Sequence, residues 1–97
     1  MADFLFHPEA QKEYAAARAW YQERSVRAAA RLEAEVERVL EQIGANPEAF
    51  PQYDDEQRYA LLRRFPYSIV YQVQPSGIYV IALAHGRRVS GYWEGRT

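Results

Sequence analysis

The chain has 97 residues, no cysteine and a formal net charge of −1. This is the size of one small domain, and the absence of cysteine excludes disulfides, thiolate zinc sites and a thiol nucleophile. Hydrophobic residues make up 48% and aromatic residues 14%, so the composition predicts a folded protein. The near-neutral charge argues against a protein that holds nucleic acid through a general positive field.

The near-neutral total conceals an acidic half followed by a basic half. Residues 1–56 contain 12 acidic and 6 basic side chains, whereas residues 57–97 contain 6 basic side chains and a single acid, Glu94. All the basic residues of the second half are arginines, which suit bidentate contacts with carboxylates or phosphates and stacking on aromatic rings. This charge asymmetry is the feature of the sequence that a functional interpretation must explain.

The first half predicts one short strand followed by two helices. The apolar run Asp3–Phe6 suits a strand, and Pro8 suits the first turn of a helix that reaches about Glu23, because the N–H that proline lacks has no partner there. Ser25 is a predicted N-cap for a second helix, which ends at about Gly44. Since only a residue or two separates them, the helices should form an antiparallel hairpin over about 8–44. Their apolar positions recur at helical spacing: Ala10, Tyr14, Ala17 and Tyr21, then Ala29, Leu32, Val36, Val39, Leu40 and Ile43.

The second half predicts a sheet over about 58–85, which follows a loop at 44–57. The last predicted strand is apolar on both faces and should be central, and Gln74–Gly77 predicts the turn before it. Residues 86–97 form a basic, aromatic tail. We therefore predict an α+β fold, a single domain over 1–97 of order β-α-α-β-β-β, with the helical hairpin packed on an antiparallel sheet. The three predicted strands of the second half are Arg58–Phe65, Tyr67–Val73 and Ile78–His85.

Nothing in the sequence predicts export or a membrane anchor. The first ten residues lack the basic region and long apolar run of a signal peptide. No run approaches the roughly 18–20 apolar residues that a membrane span needs. We expect a cytoplasmic protein without membrane contact.

The chemistry of the chain concentrates in its basic half. No metal-ligand spacing, glycine-rich phosphate loop or nucleophilic serine motif occurs, so we expect neither metal nor cofactor. Three interpretations remain for the arginines of this half: they pair with acids of the same chain, they dock an acidic partner, or they hold a phosphate while His85 or Tyr92 moves protons in RNA cleavage.

Five segments together resemble the RelE/ParE superfamily of bacterial type II toxins, most closely its ParE-like, plasmid-stabilisation branch. They are FHPEA (6–10), Trp20-Tyr21, ANPEAFP (45–51), RRFPYSIVYQV (63–73) and ALAHGRR (82–88), and the resemblance extends over essentially the whole chain. The resemblance implies a bacterial growth inhibitor whose small antitoxin partner wraps and silences it. It also implies a choice of targets, because RelE-like members cleave messenger RNA in the ribosome whereas ParE members poison DNA gyrase.

Two features favour the ParE-like branch. RelE-like ribonucleases commonly have Tyr-Arg-x-x-Tyr in the middle strand, with the arginine on the scissile phosphate, and here Ser68 takes its place between Tyr67 and Tyr71. A hydroxyl supplies no positive charge to a phosphate transition state. Ribosome-dependent members are also strongly basic, whereas this chain has one lysine and a pI near 6.1. We therefore expect a non-enzymatic inhibitor of DNA gyrase, with the ribonuclease and a non-toxic, partner-binding member as alternatives.

These comparisons assign candidate residues to three roles. The predicted target-binding residues are Arg63, Arg64, His85, Arg87, Arg88, Tyr92 and Trp93. If the chain were a ribonuclease, the catalytic residues would be Arg63, Arg64, His85, Arg87 and Tyr92. The predicted antitoxin-binding residues lie on the helical hairpin and the sheet edge: Trp20, Tyr21, Arg58 and Tyr59.

Overall fold

The computed structural model describes residues 4–96, and Asp3 and Thr97 of the predicted first strand and tail lie outside this range. The elements follow the predicted order β-α-α-β-β-β. Their bounds are β1 (Phe4–Phe6), α1 (Pro8–Arg24), α2 (Val26–Ala45), β2 (Arg58–Leu61), β3 (Tyr67–Gln74) and β4 (Gly77–His85). Within the described range, neither helix is long and apolar enough to cross a membrane.

Local capping fixes the helical hairpin. The ring Nδ1 of His7 accepts from the N–H of Glu9 at 3.0 Å, and Pro8 follows in the first turn as predicted. Ser25 both ends α1 and begins α2: its N–H donates to the Tyr21 carbonyl at 2.8 Å, and its hydroxyl accepts from the N–H of Ala28 at 3.1 Å. One residue therefore suffices to reverse the chain, and the two helices pack antiparallel.

The four strands form one sheet of order β1-β4-β3-β2. β2, β3 and β4 pair antiparallel, as predicted, and β4 is central. The sheet is nevertheless mixed, because β1 pairs parallel to β4, with Leu5 opposite Tyr79. The helical hairpin and the other two strands lie between β1 and β4 in the chain, which is ample length for a parallel connection.

β2 is shorter than predicted and stops at Leu61 instead of Phe65. Leu62 turns into the core, where it is 7% exposed, and Arg64 adopts a left-handed conformation with a φ of 67°. A left-handed residue cannot continue an extended strand. The segment between β2 and β3 is therefore a tight loop at 62–66, closed by a hydrogen bond from the Leu62 N–H to the Tyr67 carbonyl at 2.9 Å.

Both faces of the sheet are covered. The helices pack on one face over a core that includes Leu32, Ile43 and Tyr71. A bulge in β4 preserves this packing, since Val70 pairs with Ala82 and Tyr71 with Val80, leaving Ile81 as the extra residue. The tail and the loop before β2 fold over the opposite face, where Trp93 and Tyr53 cover buried side chains of Val70, Ile81, Ala82 and Ala84.

Tyr71 joins the helix-side core to the loop after α2. Its side chain is fully buried, and its hydroxyl donates to the Pro47 carbonyl at 2.6 Å. Burial raises the pKa of Tyr71 from 10.0 to about 12. The folded protein therefore keeps this proton to higher pH than the unfolded chain does.

We expect the protein to lose stability at alkaline pH, and we expect Tyr71 to account for part of that loss. The contribution is fully present below about pH 10 and is lost as the pH rises towards 12, because the folded state then binds more protons than the unfolded state. Its upper limit is about 3 kcal/mol. Urea unfolding at pH 9 and at pH 11.5 checks this: Tyr71→Phe should lose less stability between the two conditions than the wild type. Equal losses would show that other tyrosines cause the decline.

Candidate functional site

A cleft of about 610 Å³ lies between α1 and the end of β4. We call it the α1–β4 cleft. Its position follows from the topology: α1 crosses β4, and β4 ends at His85 beside Tyr67 of β3. The Gly86 N–H then donates to the Pro66 carbonyl at 2.7 Å, so the tail leaves the sheet next to the 62–66 loop. The lining includes predicted residues of both binding sets: Trp20 and Tyr21 from one, His85, Arg87, Arg88 and Tyr92 from the other.

Aromatic rings form the wall of this cleft that belongs to α1 and β3. Tyr21 packs edge-to-face against Trp20 and against Phe65, with centroids 4.8 and 5.2 Å away. Tyr67 packs edge-to-face against His85 at 5.1 Å. The Trp20 side chain is 50% exposed, although tryptophan is a residue that folded proteins mostly bury. An exposed tryptophan beside a cleft is typical of a protein-binding surface.

The rim of the cleft is basic. Arg87 and Arg88 are exposed, and they directly follow the end of β4. The Arg88 guanidinium stacks over the Tyr92 ring at 4.0 Å, which holds it at the cleft. The His85 ring accepts through Nδ1 from the N–H of Arg87 at 3.0 Å, so the turn that presents the two arginines is ordered.

Glu13 lies on the buried face of α1 and connects the tail to α1 and β4. Glu13 accepts from the Tyr92 hydroxyl at 2.6 Å, from both Nη atoms of Arg96 at 3.0 and 3.1 Å, and from the N–H of Leu83 at 3.1 Å. The Glu13 and Arg96 side chains are 17% and 15% exposed. Burial, followed by the hydrogen bond to Glu13, raises the pKa of Tyr92 well above its usual value of 10.0.

Neither Glu13 nor Arg96 was among the residues predicted from the sequence. One signal was present in the pattern, because Glu13 lies three residues after Ala10 and four before Ala17, both of which are buried. A carboxylate on the apolar face of a helix requires a partner. The sequence gives no indication that the partner is Arg96, 83 residues away.

Trp93 does not belong to the predicted target-binding surface. It is 6% exposed, and its ring Nε1 donates to the side-chain oxygen of the buried Gln57 at 2.8 Å. Tyr53 and Tyr92 pack against it with centroids 5.1 and 5.2 Å away. Tyr92 and Trp93 are consecutive in the chain, but their side chains point in different directions. Tyr92 turns to α1, and Trp93 turns to the outer face of the sheet. Trp93 is a core residue of that face.

The remaining predicted residues lie elsewhere. Arg63 and Arg64 line a separate cleft against α2. Arg58 donates to the Phe50 carbonyl at 2.6 Å, beside the loop after α2, and so lies apart from Trp20 and Tyr21. Tyr59 lies on the outer face of the sheet, in a shallow cleft that also includes Ser68. The structure therefore groups these residues differently from the sequence-based assignment. Members of both the target-binding and the antitoxin-binding set share the α1–β4 cleft, and other members of each set lie outside it.

The division of these residues between separate clefts bears on whether the protein could cleave RNA. Of the residues predicted for a ribonuclease, Arg63 and Arg64 line a different cleft from His85, Arg87 and Tyr92. The Tyr92 hydroxyl is engaged with Glu13, and its raised pKa opposes proton release. Among residues 4–96, no group of three or more His, Asp or Glu side chains could hold a metal ion. The α1–β4 cleft brings aromatic and cationic groups together.

Comparisons with known proteins agree with this architecture. The family model described as "ParE toxin of type II toxin-antitoxin system, parDE" matches residues 4–90. No curated protein is similar enough in sequence to match. A solved structure described as the chromosomal ParDE TA system from P. aeruginosa superposes with a TM-score of 0.60 at 16% identity, covering 88% of this chain and 96% of that one. At this identity the likeness shows a shared fold. The match of the family model over most of the chain establishes that this protein belongs to the ParE toxin family of type II toxin–antitoxin systems.

Proposed function

We propose that this chain inhibits growth in the bacterial cytoplasm by binding DNA gyrase, and that a cognate antitoxin neutralises it by covering the α1–β4 cleft. The observation that carries the proposal is the composition of that cleft. Exposed Arg87 and Arg88 form its rim, and the half-exposed Trp20 lies on its aromatic wall. Tryptophan, tyrosine and arginine are the residues that contribute most of the binding energy at protein interfaces.

A protein target suits this surface better than ribosomal RNA. The net charge of −1 and the pI near 6.1 leave little favourable long-range field for a polyanion. The basic groups are instead concentrated in a few side chains whose geometry is fixed, as at Arg88 on Tyr92. Fixed groups at a cleft favour a specific contact with one partner surface.

The same cleft explains how one antitoxin segment could silence the toxin. Trp20 and Tyr21, which we assign to antitoxin binding, line the cleft together with Arg87 and Arg88, which we assign to the target. A segment that buries the two aromatic side chains and places carboxylates on the two arginines would exclude the target by occupying its surface. Neutralisation then requires no change in the toxin's conformation.

The ribonuclease alternative has less support. It requires an arginine on the scissile phosphate and a group that moves a proton, both within one cleft. Arg87 does share the α1–β4 cleft with His85 and Tyr92, but Ser68 replaces the family's strand arginine, Arg63 and Arg64 line a different cleft, and the Tyr92 hydroxyl is bonded to Glu13. A member that binds its partner and harms nothing is the remaining alternative, and expression of the chain alone in a bacterium, with a count of survivors, tests it.

A purified-protein experiment separates the two toxin classes. DNA supercoiling by gyrase is measured with increasing amounts of the chain, and cleavage of messenger RNA is measured in parallel on programmed ribosomes. The proposal predicts loss of supercoiling and intact messenger RNA. Cuts at defined codon positions with unaffected supercoiling would overturn it in favour of the ribonuclease.

Replacing Arg87 and Arg88 by alanine should relieve growth inhibition and weaken gyrase inhibition about tenfold or more, since interface arginines commonly contribute over 1 kcal/mol each. Both side chains are exposed, so the variant should fold normally. A matched control replaces Lys12 and Arg18, two exposed cations of α1 that do not line the cleft. This control removes the same charge and should leave inhibition unchanged. If the variant without Arg87 and Arg88 inhibited growth as strongly as the control variant and the wild type, the cleft rim would not be the target-binding surface.

A further inference from the structure

A second cleft lies on the other side of the 62–66 loop, against α2. We call it the α2 arginine cleft, and Arg31, Arg38, Arg63 and Arg64 surround it. Its remaining lining consists of Ala28, Ala34, Glu35 and Phe65. Four guanidinium groups around one carboxylate leave a local excess of positive charge that the proposed function does not use.

The single carboxylate of this cleft is already engaged. Glu35 accepts two hydrogen bonds from Arg38, at 2.7 and 2.8 Å, and one from the backbone N–H of Arg63. The bidentate contact with Arg38, helped by the Arg63 N–H, holds the pKa of Glu35 below its usual range. Within residues 4–96, the ion pairs include neither Arg31 nor Arg63 nor Arg64. These three exposed guanidinium groups are available to a ligand.

The loop that carries two of them is ordered. The Leu62 N–H donates to the Tyr67 carbonyl, and the Arg63 N–H donates to Glu35, so both the strand end and α2 hold the loop. A loop fixed in advance loses less conformational entropy when a ligand binds to it.

Arg64 is strained, which points to a role for its side chain. Among the described residues it is the one non-glycine residue with a positive φ, at 67°. Glycine adopts this conformation without steric penalty, whereas arginine does not. Folding stability alone would therefore favour glycine at this position, and a strained arginine in a cleft of unpaired arginines indicates that its guanidinium binds something.

We infer that the α2 arginine cleft binds a carboxylate-rich peptide segment of a partner protein. Charge complementarity requires an anionic ligand, and bidentate guanidinium groups match carboxylates. The apolar lining from Ala28, Ala34 and Phe65 suits aliphatic side chains placed between the acids. Phe65 is the one aromatic residue of this lining on which a base could stack, whereas Ala28 and Ala34 suit aliphatic side chains, so a peptide fits better than a nucleic acid.

The two clefts adjoin, which favours one partner chain for both. Phe65 lines the α2 arginine cleft and packs at 5.2 Å against Tyr21, which lines the α1–β4 cleft. A single extended chain can therefore pass from one cleft to the other over these rings, and occupancy of both would raise its affinity. Identification of that chain as the antitoxin rests on the proposed function, whereas acidic-peptide binding by the α2 arginine cleft does not.

The test uses the full chain and a fluorescein-labelled octapeptide of three glutamate pairs separated by single leucines, with fluorescence anisotropy at low ionic strength. We expect binding that added salt weakens, and none by the same peptide with glutamine in place of glutamate. Replacing Arg31 and Arg63 by alanine together with Arg64→Gly should weaken binding about tenfold. Lys12→Ala with Arg18→Ala removes two exposed cations of α1 that line neither cleft, and it should leave the affinity within about twofold.

Arg64→Gly alone separates a binding role from a structural one. Its affinity for the peptide should fall about threefold, while its melting temperature should equal or exceed that of the wild type, because the substitution relieves backbone strain.

Three results would overturn the inference: unchanged affinity of the triple variant, a loss of affinity that depends on Arg87 and Arg88 instead, or tighter binding of a labelled thymidine 12-mer that depends on the same three arginines. None of these results bears on gyrase inhibition, so they are distinguishable from failure of the proposed function.

Discussion

Replacing Trp93 by alanine should lower the free energy of unfolding by about 3–5 kcal/mol, as large-to-small changes of buried aromatic residues commonly do. Trp93 is 6% exposed, and it covers Val70, Ile81, Ala82 and Ala84 on the outer face of the sheet. The change would also remove the donor to Gln57, whose side-chain oxygen is buried. Urea unfolding followed by far-UV circular dichroism measures the loss.

Trp93→Phe is the matched control. Phenylalanine keeps most of the aromatic packing against Tyr53 and Tyr92 but lacks the donor, so about 1–3 kcal/mol of the loss should remain. A Trp93→Ala variant that is as stable as the wild type but fails to inhibit its target would contradict this assignment. It would return Trp93 to the target-binding surface that the sequence predicted.

The burial of Trp93 matters to function because it anchors the segment that carries the cleft arginines. Arg87 and Arg88 lie between the end of β4, which pairs with β3 at His85, and the Tyr92-Trp93 pair. Tyr92 is fixed to Glu13 of α1, and Trp93 is fixed to Gln57 beside β2. The rim of the α1–β4 cleft is thus held at both ends, which suits a surface that must keep its shape when it meets a protein partner.

The sequence predicted the elements well where local interactions determine them. Pro8 and Ser25 act within a turn of their own positions, and the helices begin where those residues indicate. The apolar stripe of α2 was equally clear, since Leu32, Val36 and Ile43 are buried as their spacing predicts. Element order, single-domain size and the central position of β4 follow from such local signals.

Contacts between distant residues were harder to predict. Two consecutive aromatic residues of the tail look alike in sequence, and only the paths of α1 and of the loop before β2 decide that Tyr92 reaches Glu13 and Trp93 reaches Gln57. The basic residues were predicted to form one surface. The left-handed turn at Arg64 instead directs the 62–66 loop against α2, away from Arg87 and Arg88.

The edge of β4 is a further place where contacts between distant residues could not be predicted from the sequence. These contacts explain why replacing Glu13 should have a large effect on stability. β1 pairs with β4 only over Ile78–Val80, so the next groups along that edge lack a strand partner. Glu13 accepts from the Leu83 N–H, and Arg96 donates to the Ile81 carbonyl at 3.1 Å. A parallel neighbouring strand would supply one such acceptor and one such donor. The Glu13–Arg96 pair therefore takes the place of an edge strand and protects β4 from pairing with another chain.

Glu13→Ala should lower the free energy of unfolding by about 3–5 kcal/mol, because it leaves the largely buried Arg96 charge without its partner and deprives the Leu83 N–H and the Tyr92 hydroxyl of their acceptor. Glu13→Gln keeps the shape and one acceptor oxygen, so its loss should be smaller. Thermal and urea unfolding measure the stabilities, and hydrogen exchange at Leu83 reports opening of the edge. Alanine and glutamine variants that both match the wild type in stability and in exchange at Leu83 would show that the tail is held on α1 without this pair. Since Tyr92 supports Arg88, we further expect Glu13→Gln to weaken gyrase inhibition at a temperature where the variant remains folded.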